Sequence, residues 1–204
     1  MLNRYARGFF TRLFTPLARW LVRRGVSPDA VTIVGTLGAV FGALVFYPLG
    51  ELLWGTLFIT AFIFSDVVDG IMARLPESAR RGDGRWGNFL DSTLDRAADG
   101  AVFAGIMVWF FTGGQNAAIG IAAGLCLLLG SLVSYARAKA ESLGFEANTG
   151  IAERAERLVF SLTFTGLTGL GLNEWVLFAV LALLALASAA TVVQRILRVR
   201  AQAL

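Results

Sequence analysis

Hydrophobic residues fill most of this chain in long runs, and short polar stretches separate the runs. Each run is close to the roughly 20 residues that an α-helix needs to cross the hydrocarbon core of a bilayer. The pattern therefore predicts an all-α integral membrane protein with six transmembrane helices. The predicted spans are residues 31–47, 52–73, 89–111, 117–136, 158–172 and 175–196.

The first thirty residues have a different pattern. Arginines alternate there with leucine, phenylalanine and tryptophan, and no acidic residue precedes Asp29. This alternation is typical of an interfacial amphipathic helix, and Ser27-Pro28 is expected to end the segment and open the first span. We therefore predict a juxtamembrane segment, residues 1–30, and a six-helix transmembrane domain, residues 31–204.

The 18 Lys and Arg residues all fall where six crossings place them on one side of the membrane. The opposite connections, around residues 48–51, 112–116 and 166–174, contain none. Since cytoplasmic flanks collect basic residues, both termini of this cell-membrane protein are expected in the cytoplasm. This one-sided charge fits anionic lipid headgroups, and we predict no nucleic-acid partner.

Residue counts narrow the possible chemistry. The chain has no histidine, which excludes imidazole bases and the usual zinc sites. Its single cysteine, Cys126, lies within a predicted span, so no disulfide can form within one chain and a packing role is expected. Any bound metal must therefore have oxygen ligands.

Carboxylates interrupt two of the apolar segments. An aspartate at the centre of a membrane helix costs roughly 2.5–3.5 kcal/mol, so several near a boundary need a reason. Helical spacing puts Asp66 and Asp69 on one face and Asp91, Asp95 and Asp99 on another. Mutual repulsion would be relieved by hard divalent cations, Mg²⁺ or Mn²⁺, and two such ions suit displacement at phosphorus.

Small residues lie beside these carboxylates. Gly70, Ala73 and Gly87 would let a flat ligand approach the backbone, although small residues also serve close packing between membrane helices. Gly35, Gly38 and Gly42 form a similar small-residue face, for contacts within or between subunits.

The ordered pattern Asp66-x-x-Asp69-Gly70-x-x-Ala73-Arg74, then Gly87-x-x-x-Asp91-x-x-x-Asp95, resembles the signature of the CDP-alcohol phosphotransferases. The resemblance implies that family's membrane fold, a homodimer and metal-dependent transfer of a phosphatidyl group from CDP-diacylglycerol to an alcohol, with release of CMP. It implies metal binding by the four aspartates, with Asp95 also the catalytic base. The implied CDP-diacylglycerol site comprises Asp66, Gly70, Ala73, Arg74 and Gly87.

Two positions depart from the family pattern. Twelve residues separate Arg74 from Gly87 where the family usually has eight, which predicts an enlarged cytoplasmic loop. Pro28-Asp29 also replaces the frequent Pro-Asn ahead of Thr32. Asp29 and Thr32 are therefore only secondary candidates for the nucleotide site, with helix capping as the alternative.

Basic residues further along the chain indicate the acceptor. Arg137, Lys139, Arg154 and Arg195 are candidates for one pocket that binds an acceptor's own phosphate, because guanidinium groups bind phosphate in a bidentate manner. Positive-inside anchoring explains each of them equally well. Arg157 is expected to pair with Glu153 one turn away, and Asp99 either supports the site or pairs with Arg96 or another arginine.

The segments around these residues resemble the actinobacterial phosphatidylinositol phosphate synthases, a branch of the family whose acceptor is inositol 1-phosphate. A phosphatidylglycerophosphate synthase, with glycerol 3-phosphate as acceptor, is the alternative within the family. A divalent-cation transporter is the alternative from another class. It is disfavoured because transport sites lie near the bilayer midplane, whereas this cluster lies at one edge.

Overall fold

The computed structural model describes residues 2–75, 84–151 and 153–204, and the side chains of residues 2–12 and of Asp66 lie outside this description. The regular structure of these ranges is entirely α-helical, which confirms the all-α part of the predicted fold class. The helices are α1 (Leu2–Arg23), α2 (Pro28–Phe46), α3 (Leu52–Ile63), α4 (Ser65–Arg74), α5 (Arg85–Thr112), α6 (Ala117–Ser142), α7 (Arg154–Gly169) and α8 (Glu174–Ala203).

The junction between α1 and α2 lies where the sequence predicts it. Gly25, with φ +80°, ends α1, and the Val26 amide donates to the Leu21 carbonyl across the turn. The Ser27 hydroxyl then accepts a hydrogen bond from the Ala30 amide at 3.2 Å. Pro28 occupies the first position of α2. The chain therefore passes from α1 to α2 at Ser27-Pro28, and the domain boundary at residue 30 stays a prediction.

Four stretches among the described residues are long and apolar enough to cross a membrane: Pro28–Phe46, Leu52–Arg74, Ala117–Ser142 and Glu174–Ala203. They correspond to four of the six predicted spans. The second consists of two helices, α3 and α4, because the helix is interrupted at Phe64. The other two predicted spans fall on α5, whose first half is rich in charged residues, and on α7, which has only 16 residues.

The chain divides into two compact units, and the first comprises Met1–Phe41 and Phe58–Ala98. Here α1 packs on α4, and Ala18 is buried in a cluster with Met72. Gly35 faces Ser65 and Gly38 faces the ring of Phe62 so closely that neither glycine has room for a Cβ atom. These two glycines therefore serve close helix packing within the chain.

The second unit comprises Gly42–Leu57 and Asp99–Leu204. In it α8 packs against both α6 and α7. The thiol of Cys126 is fully buried on α6 and donates to the Leu181 carbonyl at 3.1 Å, which agrees with the predicted packing role. Arg157, Ser161 and Thr165 recur every fourth residue on α7 and are all buried, so one face of this helix is polar inside the unit.

Candidate active site

Two helices of the first unit carry the four predicted metal ligands. Asp66 and Asp69 lie on α4, while Asp91 and Asp95 lie on α5. The predicted loop between these helices is described only at its ends, since residues 76–83 lie outside the described residues. All four aspartates are helical, as their spacing requires for shared faces.

Asp69 is the most buried of the described ligand candidates, with 7% of its surface exposed. The Thr32 hydroxyl lies 2.5 Å from its Oδ2 atom and 3.1 Å from the Pro28 carbonyl. A hydroxyl has one proton, and the shorter contact to a charged acceptor is the stronger. Thr32 therefore holds a carboxylate in place from α2, a contact that the sequence did not predict.

The two aspartates on α5 are less enclosed. Asp91 is half-buried, and the side chain of Asp95 is 17% exposed with the Arg96 guanidinium 3.7 Å away. Among the residues whose side chains are described, no three His, Cys, Asp or Glu residues are grouped so that they could hold a metal ion. Carboxylate oxygens are nevertheless the donors that hard divalent cations prefer, so the chemistry of the set fits such an ion.

The glycines beside the aspartates have room for a Cβ atom. A Cβ atom at Gly70 would lie 3.5 Å from Arg74 Nη2, and one at Gly87 would lie 3.7 Å from Asp29 Oδ1. Both are ordinary contacts, unlike the collisions at Gly35 and Gly38. Ala73 and Arg74 are exposed. Gly70 and Gly87 are therefore not close-packing contacts of the kind seen at Gly35 and Gly38, and their ligand role stays a prediction.

The candidate acceptor residues all lie in the second unit, and Arg195 is the most buried of them at 4% exposure. Its Nε donates to the Thr149 carbonyl at 2.9 Å and its Nη1 donates to the Val133 carbonyl. The Arg195 guanidinium is also near enough to Arg137 for their like charges to repel each other. The backbone contacts tie α8 to α6 and to the loop that follows α6.

Arg137 and Lys139 lie on the last turns of α6, which extends beyond the predicted span. Both are exposed, and Arg137 Nε donates to Glu141 Oε1 at 2.7 Å. Side chains two positions apart on a helix do not share a face. The helix therefore directs Lys139 away from Arg137, and only the reach of its long side chain can bring the ammonium group to a common ligand.

Arg154 has an acidic partner that the sequence did not identify. Its Nε donates to Asp99 Oδ1 at 3.1 Å, and Arg157 Nη2 lies 4.0 Å from Asp99 Oδ2. Of the alternatives for Asp99, pairing with another arginine is thus observed. The guanidinium of Arg157, expected beside Glu153, lies within ion-pair distance of Asp99 instead. Periodicity along one helix could not reveal a contact between α5 and α7.

The model of one family, described as CDP-alcohol phosphatidyltransferase, matches residues 25–193 of this sequence. This match includes all four aspartates on α4 and α5. The chain belongs to the CDP-alcohol phosphatidyltransferase family. The family assignment inferred from the signature is therefore confirmed, and with it the expectation of an enzyme.

Curated relatives of this CDP-alcohol phosphatidyltransferase are named phosphatidylinositol phosphate synthase. The protein of Streptomyces avermitilis is 51% identical, over 98% of this chain and 83% of its own length. That of Cutibacterium acnes is 44% identical over 98% of both chains. The resemblance to actinobacterial phosphatidylinositol phosphate synthases, inferred from the segments around the basic residues, is thus confirmed.

Solved structures of the Mycobacterium tuberculosis phosphatidylinositol phosphate synthase have the same fold. The complex with CDP-DAG (CDP-diacylglycerol) matches with a TM-score of 0.85 at 40% identity, over 92% of this chain and 94% of the other. The complex with manganese and citrate matches with a TM-score of 0.84 at 40% identity, over 91% and 88%.

Proposed function

We propose that this chain transfers the phosphatidyl group of CDP-diacylglycerol to inositol 1-phosphate and forms phosphatidylinositol phosphate and CMP. The observation that carries the proposal is 51% identity to a phosphatidylinositol phosphate synthase over 98% of the chain. The complete aspartate signature on α4 and α5 and the similarity to a structure with CDP-DAG bound support it.

Asp66, Asp69, Asp91 and Asp95 are the residues that would hold the metal, as two Mg²⁺ or Mn²⁺ ions. When bound, the ions supply charge neutralisation for the diphosphate and for the departing CMP. The hydrogen bond from Thr32 to Asp69 fixes one ligand before metal arrives, which reduces the ordering needed on binding.

The open backbone at Gly70 and Gly87 forms the cytidine side of the site, with the exposed Ala73 and Arg74 beside it. Asp66 belongs to the cytidine side as well as to the metal site. Thr32 acts on the cytidine side indirectly, through its hydrogen bond to Asp69. Asp95 accepts the proton of the attacking acceptor hydroxyl. The hydroxyl oxygen then bonds to the phosphatidyl phosphorus, and CMP leaves with the electron pair of the broken P–O bond.

Arg137, Lys139, Arg154 and Arg195 bind the phosphate of the acceptor. A guanidinium has five N–H donors, so the observed Nε bonds of Arg137 and Arg154 are compatible with phosphate binding by the same groups. Arg195, with two donors on backbone carbonyls, is buried and holds a fixed orientation. An unphosphorylated polyol would not need this concentration of positive charge.

The membrane arrangement that we propose has six crossings, with both termini and the active site facing the cytoplasm. Basic residues end both α6 and α8, so α8 starts on the opposite side and α7 has to cross between them. In α1, Leu13, Leu17 and Trp20 form an exposed apolar face, which supports an interfacial position for this helix. The chain acts as a homodimer in this proposal.

The decisive experiment measures CMP release by the purified protein with CDP-diacylglycerol and Mn²⁺ or Mg²⁺. Inositol 1-phosphate, free inositol and glycerol 3-phosphate are compared as acceptors. We expect release with inositol 1-phosphate alone, its loss on chelation of the metal, and its return when the metal is restored. Activity only with glycerol 3-phosphate would replace the acceptor, and ion flux into liposomes without CMP release would favour the transporter.

A further inference from the structure

An ion-pair cluster in the second unit contains one carboxylate and two guanidinium groups. Asp99 is the first residue of α5 that belongs to this unit. Arg154 and Arg157 lie one turn apart at the start of α7. The Asp99 side chain is 12% exposed, and its two oxygens face different arginines, Oδ1 towards Arg154 Nε and Oδ2 towards Arg157 Nη2. Asp99 therefore joins two arginines of α7 in one cluster.

The two arginines differ in their access to solvent. The side chain of Arg157 is 2% exposed, whereas that of Arg154 is 27% exposed. A Cβ atom at Gly130 would lie 3.2 Å from Arg157 Nε, so the absence of a side chain there makes room for the buried guanidinium. Arg157 is thus enclosed within the unit, and Arg154 is the member of the cluster that a soluble ligand can reach.

The contact between Asp99 and Arg154 fixes a direction. A guanidinium is planar and rigid, so a hydrogen bond from Nε to a buried carboxylate sets where the terminal nitrogens point. Pairing with a carboxylate also offsets the desolvation of a partly buried charge. The contact with Asp99 therefore restricts the rotamers of the long Arg154 side chain.

We propose that Asp99 is a positioning residue for acceptor binding: it holds Arg154 by Nε so that the other edge of the guanidinium meets the acceptor's phosphate. This inference rests on the proposed function, since it requires an acceptor that carries a phosphate. Asp99 itself touches neither substrate nor metal in this scheme.

The test is a double-mutant cycle of Asp99→Asn and Arg154→Gln in the full-length protein. We expect Asp99→Asn to raise the KM for inositol 1-phosphate by about 10- to 100-fold, the range for a lost hydrogen bond to a charged group, with little change in kcat or in the KM for CDP-diacylglycerol. In the Arg154→Gln background the same substitution should change KM by less than about twofold, because its target is already gone.

Glu141→Gln is the matched control, because Glu141 also pairs with a proposed phosphate-binding arginine but is 52% exposed. An exposed ion pair contributes little, and the KM should change by less than about fivefold. An equal effect of Asp99→Asn with and without Arg154 would overturn the inference and leave Asp99 a general structural residue. A rise in the KM for CDP-diacylglycerol of similar size would do the same.

Two further arms keep the result decisive. If Asp99→Asn protein does not fold, as judged by lost CDP binding, Asp99→Glu takes its place in the same cycle with the same criterion. If the wild-type protein uses glycerol 3-phosphate instead of inositol 1-phosphate, the proposed function fails but the cycle is run with that acceptor. Activity of the wild-type protein only with an unphosphorylated alcohol would overturn both.

Discussion

At the scale of single residues, the contact between Thr32 and Asp69 joins the first predicted span to the aspartate signature. Both residues are buried to the same extent, and 2.5 Å separates the hydroxyl from the carboxylate. A buried carboxylate that accepts such a bond has its orientation set before any ligand binds. The sequence suggested Thr32 only as a nucleotide contact, whereas the geometry points to support of a metal ligand.

Thr32→Val should therefore weaken metal binding. Groups that orient a metal ligand typically contribute 10- to 100-fold in affinity, and we expect a loss of about that size for Mn²⁺. Titration with Mn²⁺ in the absence of nucleotide measures it. Thr36→Val is the control, since Thr36 lies one turn later on α2 and is equally buried at 8% exposure. Unchanged Mn²⁺ affinity with a raised KM for CDP-diacylglycerol would contradict this role and support Thr32 as a nucleotide contact.

Asp95 is the residue whose role is chemical in the proposed mechanism. Asp95→Asn keeps the size of the side chain but removes the base, so kcat should fall by about 10²- to 10⁴-fold. Binding of Mn²⁺ and CDP-diacylglycerol, measured separately, distinguishes a lost base from a lost ligand. Arg96→Gln serves as the control, because the 3.7 Å contact to Asp95 is partly exposed and contributes little. Near-normal turnover of Asp95→Asn would exclude Asp95 as the base.

At the scale of helices, glycines with different surroundings have different roles. Gly35 and Gly38 on α2 are in close contact with Ser65 and Phe62, whereas Gly70 on α4 has no atom closer than 3.5 Å to the position of a Cβ. The sequence presents all three as small residues in apolar helices. Only the neighbouring element shows which of them is a packing contact.

A pair of alanine variants tests this distinction. Gly70→Ala should leave the thermal stability unchanged or slightly raised, since Ala is favoured over Gly in a helix by about 1 kcal/mol, but should raise the KM for CDP-diacylglycerol. Gly38→Ala should lower the melting temperature, because the added methyl group meets the Phe62 ring. The melting temperature and the KM for CDP-diacylglycerol are measured for both variants. A normal KM for Gly70→Ala would leave this glycine without a ligand role.

At the scale of the whole molecule, the charge distribution determines the expected orientation. We expect a cysteine introduced at Gln202 to react with a membrane-impermeant maleimide only from the cytoplasmic side, and one at Leu49 or Leu172 only from the opposite side. Leu49 is 70% exposed, and the native Cys126 is fully buried and should not react. Labelling of intact spheroplasts and of inverted vesicles measures this. Reaction of positions 49 and 202 from the same side would contradict six crossings.

The sequence predicted elements better than contacts. Positions of α2, α6 and α8 followed from apolar runs, since a bilayer imposes length and hydrophobicity on any helix that crosses it. The break between α3 and α4 was not predicted, because Phe64 and its neighbours include neither proline nor glycine. The site carboxylates followed from their cost in an apolar segment and from a spacing that the family signature shares.

By itself, the sequence determined the class of protein, the positions of α2, α6 and α8, the exclusion of histidine and thiol chemistry, and the family, because each depends on local composition and order along the chain. Only the tertiary structure decided that Thr32 supports Asp69, that Asp99 pairs with Arg154 and Arg157, and that a Cβ atom has room at Gly70 but not at Gly38. These contacts, and the close approach at Gly38, join residues 24 to 58 positions apart in the sequence. Helical periodicity describes neighbours three or four positions apart on one element, and it carries no information about which element packs opposite.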